Sequence, residues 1–449
     1  MKTYFDDYKD RQFYIWGRGR LYFRYMKVIA SLNIKSVVDS NPEKWRCGDN
    51  REILDCISPQ QMDISIAVIV AIEDTAEIKK ITDCLDKRGT PWCHIKNIVD
   101  SVFLKKHKQK SLVGNDEKLV KFIDVMVPVA SCNLQCKYCY LEQLNIDNKH
   151  LPSVYHDARY IRYSLRKERL GGTAFINLCG IGETMISDYL IPIVKELVEE
   201  GHYIQIVTNA TMTKRINQLT NAGINKSHLF LKCSLHWNQL KEKGLLSQYA
   251  GNIKKIKDEG ISFTIELVPE DGIISEISEI KSYCLQNFGA LPHVTVARNE
   301  SYDDNRIDTS MSDDDYKTVW SVFESPMFEF KMNNRENNRY SDCYAGLWAG
   351  ELNLATGDFY KCTNNPWICN IYENPEEPIP FEKVGARCAL PYCFNCHAYL
   401  TLGLIPSVIA PTYLEMRDRV TIDGAHWILG DIRNIFSQKL YENNKREYN

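Results

Sequence analysis

Apolar and polar positions alternate in two separate blocks along the chain. In the first, an apolar run at 13–16 closes on Gly17-Arg-Gly19, a helical stretch follows over 21–32, and a β-branched run at 36–38 ends at Asp39. A further strand is predicted over 64–71, a helix over 77–87 and a last strand over 92–95. Strand–helix–strand order of this kind implies a small parallel sheet. The polar stretch 105–118 reads as a linker. Near residue 120 the alternation restarts, with strands predicted over 122–129, 174–178, 203–208, 229–234, 263–268 and 294–297. Helices are predicted between them, over 191–200, 213–222, 249–258 and 277–287. Six β/α units suit an α/β fold built on an open or partial barrel, whose active site belongs at the C-terminal ends of the strands. Beyond about residue 300 the period is lost, a cysteine-rich segment occupies 343–396, and the tail from Tyr413 is predicted to be mostly helical. The expected domains are 1–110, 119–300 and 301–449.

Composition narrows the function classes. A chain of 449 residues with 44% hydrophobic and 25% charged residues is globular in character, and a net charge of −3 gives no basic footprint for nucleic acid. The opening MKTYFDDYKD has no apolar leader, and no apolar run is long enough for a bilayer, so a cytoplasmic protein with no membrane partner is expected. The 16 cysteines change the picture most. In a reducing compartment they point to metal or cluster ligation rather than disulfides. Cys47, Cys56, Cys84, Cys93, Cys179, Cys233 and Cys284 are scattered and suit small apolar core positions. The others gather in a tight group near 132 and a looser set after 343.

Cys132, Cys136 and Cys139 stand at C-x3-C-x2-C just past the first barrel strand. Three close thiolates can hold three irons of a cubane and leave the fourth open to a cofactor; a zinc site with a distant fourth ligand is the alternative. The segment resembles the radical S-adenosylmethionine (radical SAM) superfamily, whose C-x3-C-x-aromatic-C motif is met here with Tyr138 as the aromatic. The resemblance implies a partial (β/α)6 barrel and a 4Fe–4S cluster whose open iron binds SAM. It also implies a low-potential electron donor such as a flavodoxin or ferredoxin, and a 5′-deoxyadenosyl radical that abstracts hydrogen from substrate. Further matches fall at successive strand ends. Gly180-Ile-Gly182-Glu183 is similar to the family's GGE motif, which holds the SAM amino group, with Thr184 where proline is usual. Thr208-Asn209 is similar to TNG, with Ala210 for glycine, and Ser234-Leu-His236 stands where SLD contacts the ribose, with His236 for aspartate. His236, Glu266 and Arg298 are candidate catalytic groups at the barrel mouth, or equally core polar contacts.

The later cysteines open as C-x13-G-x4-C over Cys343, Gly357 and Cys362, and continue with Cys388, Cys393 and Cys396. This resembles the SPASM and twitch extensions of radical SAM enzymes. The resemblance implies one auxiliary 4Fe–4S cluster on Cys343, Cys362, Cys393 and Cys396, with Cys388 or Cys369 able to substitute. A zinc ribbon on the same thiolates is the alternative. In the first block, Gly17-Arg-Gly19 followed some 20 residues later by Asp39 matches a dinucleotide-binding fingerprint, but Tyr22 stands at the third glycine position. The segment from Val37 to Lys44 resembles small Rossmann-like domains attached to sugar- and glycan-modifying enzymes, so this domain is either a nucleotide site or a vestigial or partner-docking module. It does not read as a winged-helix peptide-recognition domain. The expected function is therefore a radical SAM oxidoreductase acting on a small molecule such as a sugar or nucleotide-linked sugar. A maturase of a ribosomally made peptide and a non-catalytic zinc or iron–sulfur scaffold remain as alternatives.

Overall fold

The computed structural model describes residues 11–45, 54–106, 118–129, 131–144, 153–301, 306–334, 341–363, 366–386, 388, 393 and 396–444. Most of the expected linker lies outside them, as does the Cys396 side chain. The chain forms two compact units, Met1–Lys110 with Asn148–Tyr163, and Ser111–Asp147 with Ser164–Asn449.

The first unit is a five-stranded sheet in the order β3-β2-β1-β4-β5, from β1 Gln12–Trp16, β2 Asn33–Val38, β3 Cys56–Ile57, β4 Ala67–Val70 and β5 Trp92–His94. Every pairing in it is parallel. Parallel strands covered by helices read as continuous apolar runs, and β4 is fully buried along its length. Helix Thr75–Lys87 lays Ile78, Ile81 and Leu85 on Tyr14, Trp16, Val38 and Val70. Its N-cap is Asp74, whose side chain accepts the Glu77 N–H at 2.8 Å. The helix expected over 21–32 is two short pieces, Arg20–Arg24 and Met26–Ile29, broken at Tyr25.

The second unit carries nine strands in the order β11-β10-β9-β8-β7-β6-β12-β13-β14. Strands β6 Leu119–Val127, β7 Thr173–Gly180, β8 Tyr203–Thr208, β9 Leu229–Leu235, β10 Ser262–Leu267 and β11 His293–Val294 run parallel in sequence order. The sheet does not end at β6. Strand β12 Ala349–Asn353 joins β6 in parallel, and β13 Asp358–Tyr360 and β14 Trp367–Asn370 follow antiparallel, so residues expected as a separate third domain share the barrel's sheet. Strand β11 is shorter than expected. After Val294 the chain leaves the ladder, and Ala297 donates its N–H to the Tyr316 hydroxyl instead.

One face of this sheet is layered. Near the N-terminal ends of the strands, Phe122, Phe175, Tyr203 and Phe230 form an aromatic layer with Tyr413, Ile432 and Phe436 from the tail. Phe436 sits 4.9 Å from the Phe175 ring and 5.0 Å from the Phe230 ring, in tilted and edge-on contacts. The helical tail thus plugs one end of the barrel. The opposite end carries the thiol loop and the strand-end turns described next.

Candidate cofactor site and barrel lumen

The thiol loop follows β6 and is held from three neighbouring strand ends. Leu134 N–H reaches Cys132 Sγ at 3.4 Å, and Cys139 N–H reaches the Cys136 carbonyl at 3.0 Å. Asn133 is clamped on both sides, accepting from Asn209 Nδ2 at 2.8 Å and donating to Thr211 Oγ1 at 2.7 Å. Gln135 N–H donates to the Gln239 side chain at 2.9 Å. Tyr138 stacks on His236, with its hydroxyl 2.6 Å from Nδ1. Burial lowers His236 to about 4 and pushes Tyr138 well up, so tyrosine donates and the neutral ring accepts. His236 therefore positions Tyr138 across the mouth of the barrel.

Gly180 and Gly182 place the next wall. Gly182 has φ +122°, and a Cβ there would stand 2.3 Å from the Ser131 carbonyl, so only glycine lets this turn meet the thiol loop. Glu183 N–H donates to that same carbonyl at 3.1 Å. Thr184, in place of proline, supplies an oxygen that accepts Gly180 N–H at 2.8 Å. The Glu183 side chain is buried and accepts from Met185 N–H at 3.0 Å, the Thr208 hydroxyl and Asn209 N–H at 2.7 Å. Burial raises its pKa against those donors. Ala210 adopts φ +54°, the left-handed conformation that glycine would take without strain, and its carbonyl is held by Asn252 Nδ2 at 2.8 Å. Ser234 is half-buried on β9, in register with Glu266.

The donor set fits an iron–sulfur cluster. Burial pushes the Cys136 thiol up to about 12, and Cys132 is raised as well, with Glu183 and Cys139 contributing. Such thiols stay protonated until a cation replaces the proton, which is what a bound iron does.

Above the aromatic layer lies a polar belt of which the sequence singled out Glu266 alone. Asn177 Nδ2 donates to Asp124 at 2.8 Å, Gln205 donates to Asn177, and the Tyr413 hydroxyl donates to Gln205 at 2.7 Å. The Arg417 guanidinium lies 4.5 Å over the Tyr413 ring and pairs with Glu266, which also takes Lys232 at 3.0 Å. Glu266 is 4% exposed; burial would raise it, but Arg417 and Lys232 together hold it at about 2. Glu266 is thus a core ion-pair partner. Arg298 turns to Glu300 at 2.8 Å on its own loop, in a bridge with Ile307 rather than at a strand end. Glu270, beyond β10, is the acid that sequence reading missed. Burial pushes it up to about 6, Asn238 donates to it at 2.9 Å, and it stands within electrostatic range of Cys136 and Tyr138.

The later thiols gather around Cys343. Its backbone exchanges both hydrogen bonds with Gly385, and burial, with a smaller contribution from nearby Cys388, pushes Cys343 up to about 11 and Cys362 up to about 12. Cys343 and Cys393 both pack against the cluster that contains Cys362. Cys369, on β14, instead faces Arg169, Glu373 and Asp358. Among the described residues, no three His, Cys, Asp or Glu side chains are spaced for a single metal ion; a cubane takes its thiolates from further apart. No helix among the described residues is long and apolar enough to cross a membrane.

No family model matches the chain. Among curated proteins it is similar to a probable GTP 3',8-cyclase of Methanococcus aeolicus, 24% identical over 212 residues that span 43% of this chain and 67% of that protein. Among solved structures it is similar to native anSMEcpe with bound AdoMet, at 15% identity and a TM-score of 0.41 over 56% of this chain and 78% of that one. Streptococcus suis SuiB bound to S-adenosylmethionine matches at 17% identity and a TM-score of 0.40, over 66% of this chain and 69% of that one.

Proposed function

We propose that this chain is a radical SAM enzyme, which cleaves SAM reductively to abstract hydrogen from a polar substrate held in the barrel lumen; its similarity to a probable GTP 3',8-cyclase supports the reading. One observation carries the reading. The thiol loop, the Gly180–Glu183 turn and the Thr208–Thr211 turn are knitted into one hydrogen-bonded rim at successive strand ends, through the Ser131 carbonyl, Glu183 and Asn209. Cys132, Cys136 and Cys139 would hold a 4Fe–4S cluster, which supplies the electron that breaks a carbon–sulfur bond of SAM. The chain's own residues do the rest. The backbone of Gly180 and Gly182 offers carbonyls to the SAM amino group, because the Glu183 carboxylate already takes three donors and serves to tie the turns together. Asn209 and Ser234 flank the ribose position, and Tyr138 closes the mouth with His236 behind it. Glu270, pushed up to about 6 by burial, is mostly ionised at neutral pH and stands at the rim as a group that can take up a proton.

The lumen supports a small polar substrate. Its floor is acidic toward β6 and β12, where Asp124 and Glu351 pair in register, and basic toward β9, where Lys232 is 19% exposed. Cys343, Cys362, Cys393 and Cys396 would hold an auxiliary cluster, which would supply an acceptor for the electron left after hydrogen abstraction, and the place of Cys388 beside Cys343 and Cys362 adds it to the candidate ligands.

The test is iron and sulfide content of anaerobically reconstituted protein, with 5′-deoxyadenosine measured on the same sample. About eight irons, falling to about four in Cys132→Ala/Cys136→Ala/Cys139→Ala and in Cys393→Ala/Cys396→Ala, are expected, with cleavage lost in the first variant. About four irons with retained zinc would make the C-terminal site structural. Neither iron nor cleavage would leave a zinc-binding scaffold.

A further inference from the structure

The N-terminal unit is not used by that chemistry, yet it holds a cavity of about 170 Å³ at the C-terminal edge of its sheet, between the β1 turn and the ends of β2 and β4. We propose that this cavity binds the ribose and phosphate of a nucleotide.

Topology places it. The strand order β3-β2-β1-β4-β5 reverses direction between β1 and β4, and in open parallel sheets the helices part at such a point and leave a crevice at the strands' carboxyl ends. The turn that floors the crevice shows backbone rather than side chains. Gly17 takes φ +112°, and a Cβ there would stand 2.9 Å from the Ala71 carbonyl, so the turn is pressed against the end of β4. Gly19 faces the other way: a Cβ on it would meet nothing within 4 Å.

The walls divide the ligand. Asp39, at the end of β2, is 7% exposed and held in one orientation by Arg18 N–H at 2.9 Å, Asn41 N–H at 2.9 Å and Lys44 Nζ at 3.1 Å. Its Oδ2 takes two of these donors and Oδ1 takes one, which leaves an acceptor position on Oδ1 for a sugar hydroxyl. Burial opposes its charge, but those three donors win and the carboxyl stays below the usual range. Arg18, Arg20 and Lys44 line the same cavity on the β1 and β2 side and suit a phosphate, with the Arg18 guanidinium braced on the Lys44 carbonyl at 2.7 Å. Glu73 and Glu77 line the β4 side, and Glu73 is drawn off toward Arg24 at 3.6 Å.

Size and one departure set the class. Tyr22 fills the position where a third glycine would let a pyrophosphate approach, and it is buried. The cavity is smaller than the roughly 300–1,000 Å³ of sites that enclose a whole drug-sized ligand. One sugar–phosphate fits, with the base outside; a dinucleotide does not.

The experiment is titration calorimetry on the full chain with ADP, UDP and inorganic phosphate. Both nucleotides should bind one to one. Binding should weaken at least about tenfold, or about 1.4 kcal/mol, in Lys44→Ala and in Gly19→Leu, the latter filling open space on a backbone that needs no left-handed φ. Cys132→Ala/Cys136→Ala should leave binding unchanged, which separates this site from the adenosyl site in the barrel. Unchanged circular dichroism of Gly19→Leu keeps the result interpretable. No heat with either nucleotide, phosphate binding as tightly as ADP, or loss of binding in the cysteine variant alone would each overturn the proposal.

Discussion

Each of the two sheets sets a Gly-x-Gly turn at the end of a parallel strand and a buried carboxylate beside it, yet the two carboxylates sit in opposite electrostatic states. Asp39 is held by Lys44 and two backbone N–H groups and stays below its ordinary pKa. Glu183 meets only neutral donors, and burial pushes it up. The glycine turns differ in the same sense. Gly182 is locked against the Ser131 carbonyl, whereas Gly19 opens on empty space. A Gly-x-Gly turn by itself therefore says only that backbone comes close to something. What it comes close to is another loop in the barrel and a cavity in the N-terminal sheet.

The sharpest way to separate the two is to remove a thiol. Cys136→Ala should abolish 5′-deoxyadenosine formation, a loss of at least about a thousandfold, while nucleotide binding by the N-terminal unit stays intact; loss of both would mean the units are not independent. Next in size is the ion pair of the lumen. Arg417→Met leaves Glu266 buried without its main partner and should cost about 3–5 kcal/mol in urea unfolding, and a cost below about 1 kcal/mol would refute the pairing.

Acid should report the same pair. Glu266 has its folded pKa depressed to about 2, so its contribution is complete above the unfolded value near 4.5 and is lost as pH falls toward 2. The loss should be on the order of 3 kcal/mol, and Glu266→Gln should flatten that part of the stability curve. Unfolding midpoints of both proteins at pH 2.5, 3.5 and 5 check the sign. The smallest effects test the two turns. Gly182→Ala should cost about 1–3 kcal/mol through its backbone strain alone and disturb cluster assembly, while Gly19→Ala should stay within about 0.5 kcal/mol of wild type. Equal costs would erase the distinction.

The thiol spacing, the ordered strand-end motifs and the strands over 203–208 and 229–234 were legible because each depends on residues a few positions apart. Departures from the motifs were legible as departures but not as solutions. That Thr184 accepts the Gly180 N–H, or that Ala210 takes the left-handed backbone in glycine's place, needed coordinates. Glu266 stood in the sequence as a candidate catalytic group at the barrel mouth or, equally, a core polar contact, and the structure buries it in an ion pair. Its partner Arg417 lies 151 positions away, and no local pattern connects the two.

The sequence by itself determined the two α/β blocks and the first thiol group with its strand-end motifs. Period and spacing are local, and local sterics and hydrogen bonding enforce them. Only the tertiary structure decided that β12 extends the barrel sheet from β6, that the tail seals the aromatic end of the lumen, and that Tyr413 bonds Gln205 across 208 positions. Those pairings are chosen by burial and by the need to satisfy buried polar groups, and many distant partners along the chain could meet that need until the fold brings one of them within reach.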